Sequence, residues 1–257
     1  MLEVKGLDCG YNGKVILENV SFTAKEGDMV CLLGSNGVGK STLIKTIVGL
    51  LIPYKGDIFI NNEDTRNLIW KDRAKIISYI PQVFSSMFQY KVLDIVLMGR
   101  TSYLGLGSSP SKEDRDIAME AIEKLKITHL KDKIYSRLSG GERQLVKIAQ
   151  ILVQQARIIV MDEPTNNLDF ANQTIMLNHL KKCIDMSMTI IMATHFPDQA
   201  FLYGTKALLI KDGNVTEIEN PNENLTETYL RDLYDIDLKV ISLGLSDISR
   251  KVCLPVF

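Results

Sequence analysis

Met29-Val30-Cys31-Leu32-Leu33-Gly34-Ser35-Asn36-Gly37-Val38-Gly39-Lys40-Ser41 sets a short, wholly apolar run against a glycine-rich loop that closes on lysine and serine. An apolar run with no polar alternation suits a strand buried on both faces of a sheet. The loop that follows fits G-x-x-x-x-G-K-[ST] completely. Its glycines let backbone N–H groups turn inward around a phosphate chain, where side chains would block them. Lys40 is the candidate to neutralise the β- and γ-phosphates, and Ser41 the candidate to place its hydroxyl on Mg²⁺. A helix from Ser41 to Leu50 would aim its positive N-terminus at the same anion. By chance the pattern arises in about one chain in a hundred of this length, and here it also lies between a strand and a helix. The expected phosphate-binding set is Gly34, Ser35, Asn36, Gly37, Val38, Gly39, Lys40, Ser41 and Thr42.

Outward from this loop the same grammar repeats. Residues 1–33 read as strands, with Val20 to Ala24 alternating apolar and polar. Ile76 to Ile80, Arg157 to Met161 and Thr189 to Ala193 are further short apolar runs separated by helical stretches. That alternation predicts an α/β chain with a largely parallel sheet. Ala207 to Ile210, the turn Asp212-Gly213 and Val215 to Ile218 read as a β-hairpin. Between about 83 and 138 the pattern turns helical. Ser111 and Asp114 are spaced as a capping box, and Ile117, Ala121, Ile122 and Leu125 give the helix after them one apolar face. This block reads as a helical insertion, and about 221–257 as a mixed tail.

Composition narrows the class. The 257 residues are 46% apolar and 24% charged, with a net charge of −1. Such a balance gives no electrostatic case for gripping nucleic acid or an anionic membrane. No apolar run reaches the roughly 18–20 residues that cross a bilayer. The opening Met1 to Leu7 lacks the basic start and apolar stretch of a signal peptide. Cys9, Cys31, Cys183 and Cys253 are scattered without a C-x-x-C pair, so reduced and mostly buried thiols are expected.

Two more motifs carry chemistry. Ile158-Ile159-Val160-Met161-Asp162-Glu163 is an apolar run ending in adjacent carboxylates. Asp162 suits metal orientation at a strand end, and Glu163 suits the general base that polarises an attacking water. Leu138-Ser139-Gly140-Gly141-Glu142 precedes a helix carrying Leu145, Ile148, Ala149 and Leu152 on one face. Taken alone, serine and glycines at that place make a helix cap, or a second anion-binding end. One nucleotide needs one such cradle for its γ-phosphate, so a second suggests a partner's nucleotide.

Leu138 to Gln144 resembles the signature peptide of ABC ATPases, and the remaining motifs fall in that family's order over about residues 2–220. The resemblance implies that Tyr11 stacks on adenine. It implies that Gln82, in Tyr79-Ile80-Pro81-Gln82, senses Mg²⁺ and the attacking water. Asn166-Asn167-Leu168-Asp169 follows Glu163 as the D-loop does, and His195, in Ala193-Thr194-His195, matches the switch histidine at the γ-phosphate. Nucleotide contacts are thereby expected from Tyr11, the 34–42 loop, Ser139, Gly140, Gly141, Glu142 and Asp169. The metal set is Ser41, Gln82 and Asp162, and the catalytic set is Glu163, His195, Gln82 and Lys40. No Asn-Lys-x-Asp guanine motif occurs, so ATP with Mg²⁺ is the expected pair.

The implied fold is a P-loop NTPase core of the ABC ATPase type. It would comprise about 1–82 and 139–220, with an N-terminal antiparallel β subdomain and the helical insertion, all in one domain. One complete motif set implies a homodimer that sandwiches two ATP molecules head to tail. A separate membrane permease dimer is implied as partner, a substrate-binding protein would act through it, and the chain would sit peripherally on the cytoplasmic face of the membrane. Val92 to Arg100, Tyr103-Leu104-Gly105, Ser111 to Asp114 and Leu233 to Val240 are similar to the ATPases of metal-chelate importers, which serve iron–siderophore, haem, cobalamin and molybdate or tungstate uptake. An exporter ATPase or a soluble ABC ATPase remains the alternative. Val83 to Tyr90, rich in aromatic and methionine side chains, suits either a groove for a permease helix or internal packing. Leu145 and Gln150 stand where many relatives carry arginine, which bears on dimer or subdomain contacts. Glu142 replaces the commoner glutamine.

Overall fold

The structure, a computed structural model, describes residues 1–82, 89–105, 107–166, 168–245 and 248–256. The chain opens with β1 (Leu2–Tyr11), β2 (Lys14–Ala24) and β3 (Met29–Leu33), then α1 (Lys40–Ile47), β4 (Lys55–Ile60) and β5 (Glu63–Asp64). Next come α2 (Trp70–Ile76), β6 (Ile77–Ile80), α3 (Val92–Leu97), α4 (Lys112–Lys124) and α5 (Gly140–Gln154). The second half runs β7 (Ile158–Asp162), α6 (Phe170–Asp185), β8 (Thr189–Ala193), α7 (Pro197–Tyr203), β9 (Lys206–Lys211) and β10 (Asn214–Glu219). It closes with α8 (Pro221–Asn224), α9 (Glu227–Tyr234), β11 (Leu238–Leu245) and β12 (Ile248–Pro255).

Among the described residues the strands form three sheets. The central one has the order β10-β9-β3-β8-β7-β6 and is parallel except for the β9–β10 hairpin. An antiparallel sheet β2-β1-β4-β5 lies beside it, and β11 pairs with β12 in the tail. The α/β class, the mostly parallel sheet and the antiparallel strand layer are as the sequence predicts.

The unbroken apolar character of β3 has a direct cause. Met29, Cys31 and Leu33 point into a core shared with α3 to α7, while Val30 and Leu32 point into a second core with β1, β2, β4 and α1. All five are fully buried, each stabilising the fold by about 1.5–3 kcal/mol. The Asp212-Gly213 turn closes the hairpin with positive φ at both residues, the geometry such turns require.

Two boundaries differ from expectation. The helix after the loop ends at Ile47 and not Leu50. Gly49 adopts φ 83°, and the N–H groups of Gly49 and Leu50 turn back to the carbonyls of Thr46 and Lys45, a left-handed cap that stops the helix. Ile76 closes α2 and β6 starts at Ile77. The Ser111–Asp114 capping box forms as predicted, with reciprocal side-chain to backbone bonds at 3.1 and 2.9 Å. On α5 the buried apolar side chains are Val146, Ile148, Ala149, Ile151 and Val153, while Leu145 and Leu152 are only partly covered. Cys9, Cys31 and Cys183 are buried and Cys253 half-buried, all as free thiols. Residues 83–88 of the aromatic- and methionine-rich stretch lie outside the described residues.

Candidate active site

Parallel pairing brings the carboxyl ends of β3, β6, β7 and β8 to one edge, where α/β proteins bind ligands. From those ends emerge the 34–40 loop, Gln82, Asp162-Glu163 and His195. A cavity of about 550 Å³ opens there, lined by Tyr11, Asn36, Gly37, Gly39, Lys40, Ser41, Thr42, Gln82 and Glu163 of the predicted residues, with Ile16, Lys45, Leu51 and Asn166 added.

The loop's backbone demands glycine at two points. Gly39 caps α1 with φ 113°, and a Cβ there would fall 2.9 Å from Ile16 Cγ2. Gly34 has φ 152°, and its Cβ would fall 2.5 Å from the Ile210 carbonyl oxygen. Lys40 is almost fully buried, yet its ammonium is satisfied: it donates to the carbonyls of Gly34 at 2.7 Å and Ser35 at 3.0 Å. It also lies 3.5 Å from Glu163 Oε1. A buried cation held at a loop mouth by neutral carbonyls and one carboxylate is poised to take a polyanion.

Glu163 is the most constrained residue of the site. It follows Asp162 at the end of β7 with φ 48°, a left-handed conformation that costs a non-glycine residue about 1–2 kcal/mol. Its N–H donates to the Ala193 carbonyl at 3.2 Å, which fixes the turn. The carboxylate is then met from three sides: Gln82 Nε2 donates to Oε2 at 2.9 Å, Asn166 Nδ2 donates to the same oxygen, and Lys40 faces Oε1. The structure therefore brings Lys40, Gln82 and Glu163 together.

Asp162 is buried, and its Oδ1 finds no hydrogen-bond partner. Burial pushes its carboxyl above the ordinary value, with the Ser41 hydroxyl beside it pulling the other way. An orphaned buried carboxylate oxygen next to a hydroxyl, with Gln82 across the cavity, is a donor set suited to Mg²⁺. His195 lies on the loop after β8, its ring packed on Phe196 at 4.0 Å and its Nδ1 buried without a partner.

Other predicted contacts stand apart from this cavity. Ser139, Gly140, Gly141 and Glu142 open α5 as a second capping box, with bonds of 2.8 and 3.2 Å between Ser139 and Glu142. The Ser139 N–H holds the Glu142 carboxyl below its usual range. Asp169 caps α6 and accepts from both the N–H and the side-chain amide of Asn172. Ser139 to Glu142 and Asp169 are not among the residues lining the Lys40 cavity. Gly34, Ser35, Val38, Asp162 and His195 are likewise not among the residues lining it.

Three contacts were not foreseen from the sequence. Asn166 opens the D-loop-like run, but nothing in that run signals its bond to Glu163. Gln199 is buried, accepting from the Thr194 hydroxyl at 2.7 Å and donating to the Thr165 hydroxyl at 3.0 Å, so it ties the histidine loop to the segment after Glu163. Tyr234, at the end of α9, donates to the His195 carbonyl at 3.3 Å. No local spacing announces either of the last two.

The fold and site define a nucleotide-binding ATPase with a phosphate loop, a strand-end carboxylate pair and a histidine on the neighbouring strand's loop. The chain belongs to the ABC transporter family, whose model matches residues 17–166, and it is an ABC-type ATP-binding subunit. The molybdate import ATP-binding protein MolC of Haemophilus influenzae is 37% identical over 237 residues, 89% of this chain and 87% of that one. A probable iron chelatin transport ATP-binding protein of Helicobacter pylori is 34% identical, over 94% and 95% of the two chains. Among solved structures, a metal-chelate type ABC transporter in an inward-facing conformation matches with TM-score 0.89 and 33% identity, over 100% of this chain and 97% of that one. A dimeric bacterial ABC transporter cassette matches with TM-score 0.73 and 28% identity, over 86% and 99%.

Proposed function

We propose that this chain hydrolyses ATP to energise a membrane importer of metal chelates, as a homodimer docked on the cytoplasmic face of a separate permease dimer. The observation that carries the ATPase reading is the Glu163 carboxylate held between Lys40, Gln82 and Asn166 at the mouth of the phosphate loop. The import reading is supported by the molybdate and iron chelatin relatives and by the metal-chelate transporter. A substrate-binding protein would deliver cargo to the permease. No helix among the described residues is long and apolar enough to cross a membrane.

In this reading the 34–42 loop wraps the phosphates and Lys40 exchanges Glu163 for the γ-phosphate. Freed from Lys40 but still oriented by Gln82 and Asn166, Glu163 accepts the proton of the attacking water. Tyr11 stacks on adenine. Ser41, Asp162 and Gln82 would hold Mg²⁺, which supplies charge neutralisation on the phosphate oxygens. His195 contacts the γ-phosphate. Ser139 to Glu142 and Asp169, away from this chain's own cavity, serve the nucleotide of the partner copy.

The test is Glu163→Gln. Turnover should disappear while ATP binding stays, and sedimentation should shift from monomer to dimer only with ATP. Normal turnover in this variant removes Glu163 as the base. Cargo class is read by reconstituting the chain with its permease in vesicles and following uptake of iron chelate, haem, cobalamin or molybdate; outward movement alone would refute import.

A further inference from the structure

The carboxyl ends of β3 and β8 are neighbours in the sheet, with Leu32 opposite Ala193. Gly34 follows one strand and His195 the other. The tail of the chain returns to this point. Helix α9 is held by buried Leu230 and Leu233 and by Lys211, which lies 2.7 Å from Asp235 just past the helix. Its last residue, Tyr234, is thereby carried to the seam between the two loops. There the Tyr234 hydroxyl donates to the His195 carbonyl at 3.3 Å, with the Gly34 backbone beside it.

The next turn is held from the same tail. Asp198, at the start of α7, accepts the Cys253 N–H from β12 at 2.7 Å. Little else fixes the His195 ring itself, since its Nδ1 has no partner and its stacking neighbour Phe196 is partly exposed. A buried hydroxyl costs stability unless it is bonded. The part-buried Tyr234 hydroxyl meets that need at the His195 carbonyl, next to the loop that Gly34 opens.

We infer that Tyr234 is a positioning residue for hydrolysis: through the His195 carbonyl the C-terminal helix sets where the histidine stands relative to the phosphate loop. The inference rests on the reading of His195 as the γ-phosphate contact. Misplacing such a group by about 1 Å costs up to about a hundredfold in rate, whereas phosphate affinity stays with Lys40 and the loop.

The test is Tyr234→Phe in the full chain, which keeps the ring and its packing and removes the hydroxyl alone. The expected result is kcat lowered about tenfold at unchanged KM, with the melting temperature within about 2 °C of the parent. The chain has three histidines, His129, His179 and His195, so their imidazole NMR signals provide a readout independent of turnover. The His195 signal should move in Tyr234→Phe while those of His129 and His179 stay. Unchanged kcat, or a His195 signal identical to the parent, overturns the inference. So does a rise in KM with a drop of many degrees in melting temperature, which would make Tyr234 a packing residue only. ATP added to the parent protein separates the two readings: if it leaves the His195 signal unmoved, the γ-phosphate role fails whatever Tyr234 does.

Discussion

Lys40 is held by two carbonyls and one carboxylate, each replaceable by a phosphate oxygen, and its deletion is the sharpest residue-level test. Lys40→Ala removes charge-assisted hydrogen bonds worth about 1.5–3 kcal/mol, so ATP affinity should fall about ten- to a hundredfold in titration calorimetry; equal affinity would refute the phosphate role. At this scale the sequence was informative wherever a residue acts through its immediate neighbours. The 34–42 loop, Asp162-Glu163 and the capping serines were legible as motifs because each is set by local backbone geometry. The strained φ of Glu163, and its bonds to Gln82 and Asn166, were not. Gln82 lies 81 positions from Glu163, and only the pairing of β6 with β7 brings them together.

Elements decide how much a single change costs. In α5, a Cβ on Gly141 would fall 1.9 Å from Asn172 Oδ1, whereas one on Gly140 meets nothing nearer than Leu168 at 3.7 Å. Asn172 is tied to Asp169 and cannot yield without losing that bond. Gly141→Ala should therefore cost about 1–2 kcal/mol in urea denaturation, and Gly140→Ala should be neutral or stabilising through helix propensity; equal effects would contradict the packing. The helical block offers a pH test. Arg100 Nε donates to Asp114 at 2.7 Å, and with the Ser111 N–H and hydroxyl it holds the Asp114 carboxyl below its ordinary 3.8. A depressed carboxyl stabilises the fold above the unfolded value and loses that contribution as pH falls through the folded one. The stability gap between the parent and Asp114→Asn should be full near about pH 7 and shrink below about pH 4. A gap that stays constant down to acid would remove the ion pair as its cause. The α4 capping box was readable from two residues, but the Arg100–Asp114 pair was not, because Arg100, in the turn after α3, meets α4 only through tertiary packing.

For the whole molecule, ligand binding and stability are linked. ATP at a hundred times its dissociation constant should stabilise the parent by about 2.7 kcal/mol, seen as a raised melting temperature; Lys40→Ala at the same ATP concentration should show little of it. A shift of equal size in both would mean that binding does not run through this loop. By itself the sequence determined the class of fold and the place of the glycine loop between β3 and α1, since strand periodicity, helix caps and the glycine loop are properties of a few adjacent residues. Tertiary structure alone decided which side chains complete the site. The order β9-β3-β8-β7-β6 places distant strand ends side by side, so that Gln82 meets the Glu163 carboxylate and Gln199 joins Thr194 to Thr165. It also returns the tail, so that Tyr234 reaches the carbonyl of His195, 39 positions earlier. Such contacts depend on strand order and helix docking, which the whole hydrophobic core sets and no short stretch of sequence encodes.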